Sequence, residues 1–189
     1  MFARLAAAVC AVLILAGCDA IQGKQGEPAS EQTTLDTPGP DTETARVFTP
    51  GNPAATSATG QLNYASALRL GDAAGAEPQE VLTLTGATGL VITAEVTATV
   101  SPATQVQGQT LRALLVLPVE EPQVIVYRVT NETKPANGQG LCGADAASHV
   151  VVWEPTAPGE AALKVMGFVG GAPGAAGARA CPMLQYARQ

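Results

Sequence analysis

Two cysteines, one histidine and three serines are the side chains between residues 59 and 189 with the greatest chemical potential, and their spacing supports little chemistry. His149 is the sole histidine of the chain. Ser148 precedes it, but consecutive strand side chains point to opposite faces, so adjacency alone does not make a nucleophile and its base. A catalytic triad needs nucleophile, base and orienting acid within hydrogen-bond reach. Ser66, Ser101 or Ser148 with an acid such as Asp145 would meet that only through tertiary proximity. G-x-S-x-G, H-E-x-x-H and G-x-x-x-x-G-K-[ST] are all missing from the chain. Cys142, Asp145, His149 and Cys181 could be imagined around a metal. Structural zinc, however, uses closely spaced cysteine pairs, and catalytic zinc usually recruits more than one histidine. The glycine-rich run from Gly170 to Gly177 lacks the lysine of a phosphate loop and opens no convincing helix, so it reads as a hairpin loop. The expectation is no catalytic residue, no cofactor and no metal.

The amino terminus is more specific. Met1 to Arg4 supplies one positive charge, and Leu5 to Ala16 carries none. That run is shorter than the roughly 20 apolar residues of a membrane-spanning helix, but it suits the h-region of a signal peptide followed by small residues. It closes on Leu15-Ala16-Gly17-Cys18. This order resembles the lipobox of bacterial lipoproteins, over residues 1–19 only. The resemblance implies diacylglyceryl transfer to the Cys18 thiol, cleavage before Cys18, and a lipid anchor in a membrane, with the protein facing the periplasm or exterior. Each buried lipid CH₂ contributes about 0.8 kcal/mol, so two or three chains hold a protein where one binds marginally. Asp19 resembles the inner-membrane retention signal of enteric lipoproteins, and reads equally well as the first polar residue of a linker.

Residues 18–58 are expected to form a disordered linker behind the acylated cysteine. Prolines stand at 28, 38, 40, 50 and 53, and large apolar side chains are scarce. Such a segment buries too little to fold. Asp19, Glu27, Glu31, Asp36, Asp41 and Glu43 against Lys24 and Arg46 give it a charge of −4.

From residue 59 to 189 the pattern is that of one β domain. Ile92, Ala94, Val96, Ala98 and Val100 alternate with polar residues, as a strand with one buried and one wet face requires. Leu62, Tyr64, Leu68 and Leu70 repeat the rule, with Ser66 as the exception. Further strands are predicted over 80–85, 110–117, 123–130, 149–154, 161–169 and 182–187, between Gly, Pro and Asn turn signals. Val124 to Tyr127 and Val150 to Trp153 are apolar on both faces and predict central positions. No apolar face of helical period is sustained, so at most one short helical turn is expected. The fold class is all-β: a single antiparallel β-sandwich or small β-barrel of about eight strands.

Cys142 and Cys181 remain once Cys18 is acylated, and the signal directs them to a compartment where thiols oxidise. An even pair in that setting reads as a disulfide. Seven Lys or Arg face ten Asp or Glu over residues 59–189, so nucleic acid and anionic lipid headgroups are poor partners for this surface. Three function classes follow. The first is a lipid-anchored, non-catalytic binding or scaffold module of the cell envelope, holding a protein, glycan or small ligand at a strand edge or loop. Tyr127-Arg128, the loop 131–141 and Trp153 are candidate binding residues, the aromatics reading more readily as core. The second is an inhibitor of an envelope-attacking hydrolase, because some lipid-anchored lysozyme inhibitors are small disulfide-bearing β-barrels. Those carry a Ser-Gly segment followed by Tyr and a Trp-Lys-Gly run. Here Trp153 is followed by Glu154-Pro155, and no Ser-Gly dipeptide occurs. The third is a cryptic enzyme.

Overall fold

The alternating segments assemble into a meander that closes on itself. The computed structural model describes residues 44–70, 77–136, 138–155 and 162–189. In chain order they form β1 (Thr44–Pro50), α1 (Pro53–Ala58), β2 (Leu62–Arg69), β3 (Gln79–Gly86), β4 (Val91–Val100), β5 (Gln105–Val106), β6 (Gln109–Thr110), α2 (Leu111–Leu115), β7 (Val124–Thr133), β8 (His149–Trp153), β9 (Leu163–Val169), β10 (Arg179–Ala180) and β11 (Leu184–Arg188). The antiparallel order β1-β2-β3-β4-β7-β8-β9-β11 follows the chain, and β11 pairs back on β1. The architecture is therefore a closed antiparallel barrel of 8 strands rather than a sandwich. β5 and β6 form a separate ribbon, and β10 continues the line of β11 along β9. Cys181-Pro182-Met183 interrupts that line, where proline has no N–H to donate.

Two expectations about the elements are corrected, and the corrections cancel in the strand count. The run 110–117 is not a strand. Thr110 caps α2, its hydroxyl accepting from the Ala113 N–H at 3.2 Å, and Leu111, Leu114 and Leu115 share the i, i+3, i+4 face of a helix. Conversely, 44–58 is not linker. β1 pairs with both β2 and β11, and α1 begins at Pro53 behind an Asn52 cap that accepts from the Ala55 N–H at 2.9 Å. Its prolines lie at the end of a strand and the start of a helix, the positions where proline costs little. The remainder of the expected linker, 18–43, and Cys18 itself lie outside the described residues. Two short helices replace the single turn expected.

The apolar faces sort into two layers. Phe48, Leu62, Leu82, Leu84, Ile92, Val150, Val152, Leu163 and Val165 fill the barrel interior. Val124, Val126, Val151, Trp153, Met166 and Phe168 point outward from β7, β8 and β9, where Val106, Leu111, Leu115 and Leu117 cover them. That second layer explains why these strands are apolar on both faces; a closed barrel has no central strand. Register shifts in β4 between Thr93/Ala94 and Val96/Ala98 alter its pairing, and Val100 packs on the outer cluster although it shares the sequence period of Ile92. Lys164 pins the outer layer. Only 7% exposed, it donates to the carbonyls of Leu115 at 3.0 Å and Val116 at 2.7 Å, the orphan end of α2, and lies 5.0 Å from the centre of the Trp153 ring. Burial holds its ammonium below the ordinary lysine pKa.

One end of the barrel is plugged. Ala55 of α1 and Leu141 and Ala147 of the β7–β8 loop are buried there among the interior residues. Glu132 anchors that loop, its carboxylate accepting from the N–H groups of Leu141 and Ala147, both at 2.9 Å. Cys142 and Cys181 lie at disulfide distance, with Cα atoms 5.1 Å apart, tying the loop to the break between β10 and β11. Gly167 permits this approach, because a Cβ there would meet the Cys142 Sγ at 2.7 Å. The buried hydroxyls of Thr59 and Tyr186 hydrogen-bond at 2.7 Å.

Burial pushes the Tyr186 hydroxyl up to about 12, against the opposing effect of its bond to Thr59. The unfolded chain ionises this group near the ordinary value of about 10, while the folded protein keeps its proton. Stability from this source is complete below pH 10 and falls as pH rises from about 10 to 12, by about 2–3 kcal/mol. Melting temperatures recorded between pH 8 and 12 should drop above pH 10, and Tyr186→Phe should reduce the drop. An unchanged alkaline profile in the variant would contradict the burial.

Candidate functional site

At the opposite end the barrel opens into a cavity of about 340 Å³. Strand register brings its residues together. In β1, Arg46 stands opposite Tyr64 of β2 and two residues before Phe48, so all three face the interior. Across the opening, Glu154 directly follows β8. Arg46 forks onto it, Nη1 donating to Oε2 at 2.7 Å and Nη2 to Oε1 at 2.6 Å. The same guanidinium lies 4.7 Å from the Tyr64 ring centre and 5.7 Å from that of Phe48. Its Nε is buried without a hydrogen-bond partner. Pairing with Glu154 raises the Arg46 pKa, partly offset by burial. An arginine fork is the appropriate device here, since its planar donors match a carboxylate two at a time.

A second polar chain runs deeper. The Tyr127 hydroxyl, on a residue only 1% exposed, donates to Glu80 Oε1 at 3.3 Å, and Tyr64 lines the same wall. Desolvation raises both tyrosine hydroxyls above their ordinary pKa, Tyr127 the more. On the outer-layer side of the opening, Trp153 Nε1 donates to Glu121 at 2.7 Å. Ser66, Gln123, Val124, Ile125 and Val152 complete the wall. The polar groups can orient a small polar molecule through hydrogen bonds.

The residues singled out in the sequence fall in different places. Tyr127 and Trp153 are buried with local partners for their polar tips, and both line the mouth. Arg128 lies outside, paired with Glu95 at 2.9 Å. Asp145 pairs with Arg179 on the surface. Among the described residues, no group of three or more His, Cys, Asp and Glu is placed to hold a metal. Ser148 and His149 do meet, with Oγ 3.2 Å from Nδ1, contrary to the expectation of opposite faces. Ser148 precedes β8, so strand alternation does not govern it. Its Oγ also donates to the Phe168 carbonyl at 3.0 Å and accepts from the Gly171 N–H at 3.1 Å, fastening the β9 turn. Burial and then the charge of Arg128 hold His149 below its ordinary pKa. Arg46, Glu80 and Glu154 were missed from sequence. The signal for Arg46 was the alternation of Arg46 and Phe48 with Ala45, Val47 and Thr49, overshadowed by the neighbouring prolines.

Compared with known proteins, the chain matches no family model, no curated protein and no solved structure.

Proposed function

We propose that this protein is a lipid-anchored, non-catalytic binding module of the bacterial cell envelope, anchored through Cys18 and taking its ligand at the barrel mouth. The observation that carries the binding site is the mouth itself: a cavity of about 340 Å³ whose wall combines a charged fork, two tyrosines, one of them hydrogen-bonded to Glu80, and further carboxylates. Cavities of this size with a few convergent polar groups suit small ligands. Closure of the barrel also argues for the mouth over a strand edge, because each of the eight barrel strands is paired on both sides over part of its length, leaving only short strand ends such as 96–100 of β4 beyond a neighbour. Support for the anchor rests on the lipobox alone. Inhibition of an envelope-attacking hydrolase is the second reading, favoured by the closed, disulfide-bearing barrel, an architecture that by itself carries no function.

Two experiments test the proposal. Cys18→Ser should accumulate as an unprocessed precursor lacking lipid; normal processing and acylation of that variant would refute the anchor. For the site, Trp153 is the only tryptophan of the chain and lines the mouth, so its fluorescence reports occupancy. The oxidised protein, challenged with isolated peptidoglycan, solubilised envelope and a panel of lysozymes, should show a saturable change with one of them that Tyr64→Ala weakens. Inhibition of a lysozyme without a mouth dependence would favour the second reading.

A further inference from the structure

We infer, resting on the mouth as the binding site, that its ligand presents a protonated amine or guanidinium on a short apolar stem. Charge decides the sign. The wall holds one cation, Arg46, and three carboxylates, Glu80, Glu121 and Glu154. Arg46 and Glu154 neutralise each other through two hydrogen bonds. The side-chain carboxylates of Glu80 and Glu121 accept from neutral donors, the Tyr127 hydroxyl and the Trp153 indole N–H, while the Arg112 guanidinium reaches only the Glu121 backbone carbonyl, at 3.3 Å. None of the ion pairs among the described residues includes either carboxylate. An anion would have to break the Arg46 fork and settle beside two carboxylates, whereas a cation would compensate charges already partly withdrawn from water.

Shape and chemistry narrow the class. About 340 Å³ accommodates several heavy atoms, far more than a bare metal ion needs, and no three-donor metal set is assembled among the described residues. Arg46 already shows how the mouth receives a cation: a carboxylate takes the fork while a tyrosine face lies 4.7 Å from the guanidinium carbon. Glu80 and Glu121 supply carboxylates to the remaining space, whose wall also includes the buried Tyr127 and Trp153. Ile125 in the wall is 38% exposed, and with Val124 and Val152 it supplies apolar surface for the stem.

The test uses the mature chain with Trp153 fluorescence and calorimetry. The probes are agmatine, a blocked arginine derivative (acetyl-arginine methylamide), citrate and maltose. Agmatine should bind saturably, more weakly as salt rises, and at least 10-fold more weakly to Glu80→Gln or Glu121→Gln. Glu95→Gln, which removes a carboxylate paired with Arg128 outside the mouth, should stay within twofold. Melting curves establish that each variant is folded, and two independent mouth variants guard against failure of one. Equal binding of acetyl-arginine methylamide would assign the cation to a partner's side chain; preference for agmatine would assign it to a free amine. Binding of citrate or maltose to the mouth without agmatine would overturn the cationic ligand and leave the binding site standing. Binding of none of the four would overturn the cationic ligand, and a Trp153 signal that also stays silent toward envelope fractions would overturn the site. Agmatine binding unaffected by either mouth variant would likewise overturn the inference.

Discussion

Replacing Cys142 and Cys181 together by serine should lower the stability of the barrel by about 4 kcal/mol, the largest loss expected from any change outside the core. The two residues are 39 apart in sequence, and the chain-entropy cost of closing such a loop in the unfolded state gives that figure. The location adds a structural component. The pair ties the β7–β8 loop, whose Leu141 plugs the barrel, to the point where β10 gives way to β11. Without it, the closing pair β11–β1 loses its nearest covalent restraint. Urea denaturation of the double variant, compared with the oxidised parent, should show an earlier midpoint and a melting temperature lower by about 8–16 °C. A loss below about 1 kcal/mol would mean that the plug is held by packing and by Glu132 alone. Free thiols in material recovered from an oxidising compartment would exclude the bridge itself.

The second large effect is expected at Phe48. Its ring is buried in the interior, edge-on to Tyr64 with centroids 6.3 Å apart, and forms part of the floor beneath the Arg46 fork. Phe48→Ala should cost about 3–5 kcal/mol, combining lost transfer energy with the cavity left behind. Val47, the adjacent residue, faces outward and is 42% exposed, so Val47→Ala should fall within about 0.5 kcal/mol of the parent. The contrast between neighbours is the informative part. Equal, small effects at both positions would remove β1 from the barrel and restore a linker reaching residue 58. A large effect at Phe48 alone would fix the start of the folded domain at or before β1. The Phe48 variant should also deepen the mouth and remove one aromatic wall from Arg46, so ligand affinity at the mouth should change even where the variant remains folded.

Much of the fold was legible because its signals are local. Ile92 and Ala94 alternate with Thr93 and Glu95 for reasons of backbone geometry that hold in any β protein, and they are buried as that alternation requires. The same rule located β2, and apolar runs between turn signals located β3, β7, β8, β9 and β11, to within a few residues. It failed where two local signals competed. Prolines at 50 and 53 concealed β1 and α1, and the run Leu111 to Leu115 was too short for its helical period to outweigh its apolar content. The site was far less legible. Tyr127 and Trp153 were noticed as aromatics, but nothing in their surroundings announced Glu80 or Arg46.

By itself, the sequence determined the all-β class, the approximate number of strands and the pairing partner available to each domain cysteine, while the contiguous motif at Cys18 carries the proposal of an address. Each of these depends on neighbours in the chain or on simple counting. Only the tertiary structure decided barrel over sandwich, the second apolar layer over β7 to β9, and the mouth. Arg46 and Glu154 lie 108 residues apart, and their contact exists only because β11 returns to β1 and closes the circle. Closure is a property of the whole hydrogen-bonded circuit, set by how every strand is tilted and registered against the next, and no local period encodes it.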